Sequence, residues 1–273
     1  MTAIAPPEPL PPLPQADWPA LAADGGRGAA RRALVPEAPV ALECNGLAYA
    51  VMMATPVDLA DFATGFALAE GLAPTARAIA DIAVAEVELG WIIRATIPTL
   101  GAEQLGERVR RRVAESSCGL CGVENLAALA KPLPPVPPHA RLESGAIFAA
   151  LAALGPVQAL GRATGAAHAA AFCAADGTLV AWREDVGRHN ALDKLVGAMA
   201  RAGADMAAGF VLSTARCSYE IVEKAVRAGA HTLVTISLPT SLAVARAQAA
   251  GLSLWVLARG DSVLLAHDGA QPG

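Results

Sequence analysis

The apolar positions change rhythm part-way along the chain, and that change predicts two differently built regions. Val40 to Cys44 and Leu47 to Met53 flank Asn45-Gly46, a pair suited to positive φ at both central positions of a two-residue turn, so a β-hairpin is predicted to open the fold. Leu59, Phe62, Phe66 and Ala69 then recur at helical spacing until Gly71, after a Thr55-Pro56 start signal with Asp58 beside the positive end. Ile79 to Leu89 and Trp91 to Ile97, parted by Gly90, predict a second strand pair, and Leu105, Val109 and Val113 share one face of a following helix. A short helix around Asn125 to Ala130 ends this part.

Beyond the prolines of residues 132–138 the pattern alternates. A helix near Glu143 to Leu154 precedes strands His168 to Cys173 and Thr178 to Trp182, joined around Asp176-Gly177, and a helix at Asn190 to Ala202 leads to the strand Phe210 to Ser213. Helix Tyr219 to Ala228, strand Thr232 to Ser237, helix Leu242 to Ala249 and strand Ser253 to Ala258 complete the series. Strands separated by helices imply right-handed crossovers and a sheet covered on both faces. The expected class is α/β: a three-layer α/β/α sandwich with a mixed, mostly parallel sheet, plus a smaller N-terminal α+β subdomain. Residues 1–34 are expected to form a disordered Pro/Gly-rich leader, 35–131 the N-terminal subdomain, 132–138 a linker and 139–273 the C-terminal domain.

Composition narrows the function. The 273 residues can bury a sizeable core, although alanine supplies about a quarter of them and much of the 54% hydrophobic content. A net charge of −4 argues against bulk binding to nucleic acid or to an anionic membrane, so any phosphate site must be local. No apolar run approaches a membrane span, and the start lacks a charged, then apolar, secretory pattern; a cytoplasmic location is the expectation. The five cysteines, Cys44, Cys118, Cys121, Cys173 and Cys217, are too few for a disulfide scaffold at this length.

Cys118-Gly-Leu-Cys121-Gly122 is the sharpest local feature. A CxxC pair can share a metal, form a disulfide or pass a sulfur atom, and Gly119 and Gly122 permit tight turns. Structural zinc needs four ligands, which one such pair supplies only if two chains meet across a dimer axis. The nucleobase-deaminase zinc signature fails twice: Ser117 precedes Cys118, and no histidine occurs before His139. A thioredoxin-like site would open a helix after a strand, whereas this pair follows a predicted helix. Sulfur carriage needs one nucleophilic thiolate on an accessible loop, which the segment offers. Arg108 to Arg112 would favour the thiolate, the preceding helix presents its negative end to Cys118, and the following helix its positive end nearer Cys121.

Two further clusters suit an anion. Glu184-Asp185-Val186-Gly187-Arg188-His189-Asn190-Ala191-Leu192-Asp193-Lys194 is charge-dense, and Gly187 stands immediately before a predicted helix. Thr214-Ala215-Arg216-Cys217-Ser218-Tyr219-Glu220 lies at the carboxyl end of a strand, where open α/β sheets place ligands. His168, after Thr164-Gly165, and Ser237-Leu238-Pro239-Thr240-Ser241 sit at comparable junctions, with Ser241 an N-cap candidate.

Asn45-Gly46, Thr55-Pro56 with Gly65-Phe66 and Glu70-Gly71, CGLCG, Thr164-Gly165 with His168, EDVGRHNALDK, ARCSYEIVEKA and LPTSLAV together resemble the FdhD family of formate dehydrogenase accessory sulfurtransferases, from about Glu37 to His267. The resemblance implies a cytoplasmic homodimer with a cytidine-deaminase-like sheet and no catalytic metal of its own. Such a protein takes sulfur from a cysteine desulfurase as a persulfide and delivers it to the molybdenum bis(molybdopterin guanine dinucleotide) cofactor destined for formate dehydrogenase. It implies that Cys118 carries the persulfide with Cys121 as its partner, and that Val256, Leu257, Ala258, Arg259, Gly260 and Asp261 meet the cofactor. Arg188, His189 and Arg216 are candidate contacts to the same dinucleotide. Ala166 and Ala215 stand where the family usually has glycine. A cofactor-binding chaperone that moves no sulfur and a dimer-bridging zinc protein are the alternatives. Neither nucleic acid nor membrane is an expected partner.

Overall fold

The computed structural model describes residues 3–113 and 132–270. Asn45 and Gly46 take φ of 49° and 79°, and they close the hairpin of β3 (Ala38–Cys44) and β4 (Leu47–Ala54) as the residue pair predicts. β6 (Gly90–Thr96) runs parallel to β3 and β5 (Asp81–Val87) antiparallel to β6, giving the order β4-β3-β6-β5. The inner face of this sheet places Val40, Leu42 and Ile93 against Phe62 and Phe66 of α1 (Leu59–Ala69), and Leu105 of α2 (Ala102–Val113) fills the same core.

The second sheet has the order β12-β11-β10-β9-β7-β8, from β7 (His168–Ala174), β8 (Leu179–Asp185), β9 (Gly209–Ser213), β10 (Thr232–Thr235), β11 (Ser253–Val256) and β12 (Leu264–His267). It is mixed: β9, β10 and β11 pair in parallel, whereas β7, β8 and β12 join antiparallel. The two-residue alternation of its strands feeds two cores. Ala170, Phe172 and Val211 face α5 (Arg188–Arg201), α6 (Tyr219–Arg227) and α7 (Ser241–Ala250); Ala171, Cys173 and Leu212 face α3 (Ser144–Val157). The short α4 (Ala159–Thr164) follows α3. Helix layers on both faces of the sheet complete the expected mixed α/β architecture, although three of its five strand pairings are antiparallel where a mostly parallel sheet is expected, because β7 and β8 form a hairpin, β7 also runs against β9, and β12 folds back on β11.

The two sheets are joined through α1 and α5, which cross at two glycines. A Cβ on Gly65 would lie 1.8 Å from the Asp193 carbonyl oxygen, and one on Gly197 would lie 1.9 Å from that of Asp61. Polar groups tie the same seam. The Lys194 ammonium is 2.6 Å from Asp185 Oδ2, both side chains are 0% exposed, and Lys194 also donates to the Thr55 carbonyl. Asp185 Oδ2 accepts from Thr55 N–H at 3.0 Å, and the Thr55 hydroxyl accepts from Val186 N–H. Thr55 is therefore a buried tie between layers and not the helix cap its sequence context predicts; Asp58, at φ 52°, takes the cap position.

The structureless leader is corrected by the structure. β1 (Gln15–Leu21) and β2 (Arg27–Ala33) form an antiparallel hairpin outside both larger sheets. Ahead of them Ile4, Pro7, Leu10 and Leu13 are half-buried while their neighbours are exposed, a period of three that matches polyproline II geometry. Ala5 accepts from Arg183, and Glu8 and Asp58 exchange backbone-to-carboxylate bonds of 2.8 Å each way. Leu133, Val136 and His139 repeat that spacing in the second proline-rich segment, which Val136 N–H pins to the Ala250 carbonyl. Proline chains dock one residue in three, a repeat that neither the strand nor the helix period detects.

Candidate functional site

Sheet polarity gathers most of the candidate residues on one rim. β8, β9, β10 and β11 all run in one direction, so their carboxyl ends share an edge with the amino end of the antiparallel β7. His168 opens β7, Arg188 and His189 follow β8, Arg216 follows β9, the 237–241 segment follows β10 and Leu257–Asp261 follow β11. Those junctions are separated by tens of residues, and topology alone unites them.

Three helices start at this rim. α5 begins after Gly187 and α6 after Ser218, and neither has a side-chain cap bond, so their first N–H groups remain open to an anion. α7 is capped by Thr240, whose hydroxyl accepts from Ala243 N–H at 3.2 Å; the cap is thus one residue before the predicted Ser241. Beside the open ends, Arg188 Nε and Ser218 Oγ are buried without a hydrogen-bond partner among the described residues. Unpaired buried polar atoms are costly, and two of them at one rim mark a place for a ligand's acceptors.

Charge at the rim is net positive. The Arg188 and Arg216 guanidiniums add to burial in holding His168 below the usual imidazole pKa. His189 Nε2 stands 3.0 Å from Glu220 Oε2, and this contact holds the Glu220 carboxyl below its ordinary value. One helical turn deeper, Asp193 receives the Lys224 ammonium at 2.7 and 2.8 Å, so two side-chain rungs join α5 to α6. Asp185 positions the upper rung: its Oδ1 accepts from Gly187 N–H at 2.7 Å and from the Asn190 amide at 3.0 Å, while Asn190 also donates to the Met53 carbonyl.

The stretch after β11 divides. Val256 and Ala258 bury their side chains in opposite cores, leaving only backbone for a ligand, whereas Arg259, Gly260 and Asp261 are exposed. Leu257 between them has φ of 50°, an unfavourable conformation for a bulky residue, held by Leu257 N–H to the Ser237 carbonyl and Ala258 N–H to the Thr235 carbonyl. Arg259 donates to the Ile236 carbonyl, which folds its stem back over the β10 end. Ala215 is buried, with its N–H on Ser213 Oγ, and Ala166 is exposed.

The thiols separate sharply. Cys44, Cys173 and Cys217 are free and buried, and burial pushes their pKa values up to about 11, about 12 and about 11. Cys118 and Cys121 lie outside the described residues, as do the side chains of Arg110, Arg111 and Arg112. Arg108 donates to the Glu70 carbonyl at 2.7 Å, at the carboxyl end of α1. No group of three or more His, Cys, Asp or Glu is placed to hold a metal among the described residues, and no helix there is long and apolar enough to cross a membrane. Within the Thr214–Glu220 cluster the sequence singles out Arg216 alone as a cofactor contact; the structure adds Ser218, through its buried hydroxyl, and Glu220, through its contact with His189.

Comparison with known proteins adds three findings. The model of the FdhD/NarQ family matches residues 35–268. The sulfur carrier protein FdhD of Variovorax paradoxus (strain S110) is 44% identical over 229 residues, covering 84% of this chain and 82% of the relative, and that of Xanthomonas euvesicatoria pv. vesicatoria (strain 85-10) is 44% identical over 245 residues, covering 89% and 87%. A crystal structure described as a formate dehydrogenase accessory protein of Desulfotalea psychrophila superposes with a TM-score of 0.73 at 24% identity, over 93% of this chain and 97% of that one, which speaks for the fold.

Proposed function

This chain belongs to the FdhD/NarQ family, and on that premise we propose that it is a sulfur carrier. In this reading the Cys118 thiolate attacks the terminal sulfur of a cysteine desulfurase persulfide, the donor thiolate leaves, and Cys118 keeps the sulfur as its own persulfide. Cys121 assists or resolves that persulfide. As Cys121 attacks the inner sulfur of the Cys118 persulfide, a Cys118–Cys121 disulfide forms and the outer sulfur leaves at the sulfide level. It passes to the molybdenum bis(molybdopterin guanine dinucleotide) cofactor, bound as substrate, before the cofactor enters formate dehydrogenase, and a thiol reductant reopens the disulfide. On the same premise the protein works as a cytoplasmic homodimer, a state that light scattering of the purified chain tests.

The observation that carries this reading is the burial of the other three thiols. A carrier needs an accessible thiolate, and burial keeps Cys44, Cys173 and Cys217 in the thiol form near neutral pH. Cys118 and Cys121 remain as the carrier pair. The rim fits the phosphates of a dinucleotide: the open starts of α5 and α6, the unpartnered Arg188 Nε and Ser218 Oγ, and the exposed Arg216 and Arg259 are donors suited to phosphate oxygens. His189 and Glu220 hold the α5 start against α6 while those donors engage. Gly260 and Asp261 offer backbone amides and a carboxylate to a nucleotide base.

The deciding test is intact mass after incubation with a cysteine desulfurase and cysteine. The wild type gains one reductant-labile sulfur atom and the Cys118→Ala variant gains none. A gain that survives in Cys118→Ala would move the carrier to Cys121. Full formate dehydrogenase activity in cells carrying only the variant without both thiols would replace the carrier reading with a cofactor chaperone. Metal analysis of protein purified without added zinc tests the dimer-bridging alternative.

A further inference from the structure

The end of β4 is bound to the start of α5 by four hydrogen bonds, three of them made by Thr55. This residue follows β4 directly and is 0% exposed. Its N–H donates to Asp185 Oδ2 at 3.0 Å, its carbonyl accepts from the Lys194 ammonium at 2.9 Å, and its hydroxyl accepts from Val186 N–H at 3.1 Å. The fourth bond runs from the Asn190 amide to the Met53 carbonyl at 2.8 Å.

These bonds bracket the turn that presents the first N–H groups of α5. Asp185 holds the turn from within, through Oδ1 on Gly187 N–H, and Lys194 meets its charge at 2.6 Å, so the pair fixes geometry and adds little net charge. The turn leaves no room for a Cβ on Gly187, which would lie 2.7 Å from Nδ2 of the pinned Asn190. A helix start binds an anion through N–H groups that converge on one point. Here the residue that holds the turn in register stands 131 positions upstream of Val186, in the layer of the other sheet.

We propose that Thr55 is a positioning residue for the phosphate-suited rim: its hydroxyl sets the Val186–Gly187 turn, and with it the direction of the α5 N–H groups, without touching the ligand. The inference rests on the rim reading given above and adds to it that the N-terminal layer completes the anion site.

Inorganic pyrophosphate is the probe, titrated into full-length protein by calorimetry. Thr55→Val keeps the shape and the backbone bonds and removes only the hydroxyl; it should weaken binding at least about threefold, the scale of one neutral hydrogen bond. Thr55→Ser restores the acceptor and should bind within about twofold of the wild type. Leu154→Ala truncates the core on the α3 face, so it lowers stability without reaching the turn and should leave affinity unchanged. Asn190→Ala cuts the Met53 bond from the α5 side and should weaken binding as Thr55→Val does, which reads the same link if the valine variant does not fold. Wild-type affinity in folded Thr55→Val or Asn190→Ala protein would overturn the proposal and leave the rim reading standing. So would equal losses in the serine and valine variants, or a loss of the same size in Leu154→Ala. Absence of pyrophosphate binding by the wild type would overturn the rim reading and the proposal with it.

Discussion

Replacing Gly65 by alanine tests whether the α1–α5 crossing holds the two sheets together. The new Cβ would sit 1.8 Å from the Asp193 carbonyl oxygen and meet Gly197 N at 2.9 Å. Both obstacles are backbone, so no side chain can swing aside. Restoring a carbon–oxygen distance of about 3.3 Å requires the helices to part by roughly 1.5 Å. A gap of that size forfeits a quarter to half or more of the dispersion energy of the contacts flanking the crossing. Overpacking of this kind costs about 1–3 kcal/mol, occasionally more, and a clash between two backbones belongs at the upper end. Alanine returns up to about 1 kcal/mol of helix propensity, leaving a net loss of about 2–3 kcal/mol. Gly145 supplies the control: it also lies in a helix, but nothing comes within 4 Å of its virtual Cβ. Gly145→Ala should therefore be neutral or stabilising by up to about 1 kcal/mol. Urea unfolding followed by circular dichroism gives both values, and calorimetry should place the Gly65→Ala midpoint about 4–12 °C below the wild type. Agreement of Gly65→Ala and Gly145→Ala within about 0.5 kcal/mol would show that the helices do not depend on a close crossing at Gly65.

Five other outcomes follow from particular contacts. Lys194→Met should cost about 3–5 kcal/mol, because it strands the Asp185 carboxylate in a fully buried site, and denaturant midpoints read the loss directly. In native protein at pH 8, Cys44, Cys173 and Cys217 should resist iodoacetamide and become labelled on unfolding, as mapped by peptide mass spectrometry. Their raised folded pKa values mean that the folded state binds more protons in alkali, so their stabilisation is complete below about 9 and is lost as pH rises through about 11 to 12; a flat stability profile across that window would contradict the burial assignment. Pyrophosphate bound at the rim should raise the His168 pKa by offsetting Arg188 and Arg216, with proton uptake on binding, and an unchanged imidazole titration by NMR would place the anion elsewhere. Leu257→Gly should relieve about 1–2 kcal/mol of left-handed strain, visible as a higher unfolding midpoint, whereas a lower midpoint would show that the Leu257 side chain packs for more than its backbone costs.

Local pattern carried much of this protein. Asn45-Gly46 specified its turn because two positive φ values suit few other pairs, and the alternation of helix and strand periods specified mixed α/β layers. The junction residues His168, Arg188, Arg216 and Arg259 were legible as candidates because strand ends in such sheets face one rim. The period-three docking of Ile4, Pro7, Leu10 and Leu13 matches neither the strand period of two nor the helix period of 3.6.

Tertiary structure decided the remainder, since the partner of a buried polar group is chosen by proximity in space. Lys194 bonds Thr55 across 139 positions and Arg183 bonds Asp61 across 122, and no local pattern encodes such pairings. Gly65 and Gly197 look like weak helix residues in isolation; only their crossing explains them. The unpaired Arg188 Nε and Ser218 Oγ likewise become a ligand signal only when every neighbouring acceptor is in place. Sequence set the elements and supplied the candidate chemistry, because backbone propensity and periodicity act locally. The assembled fold determined which charges are buried, which are paired and which face outward, because desolvation and contact depend on residues distant in the chain.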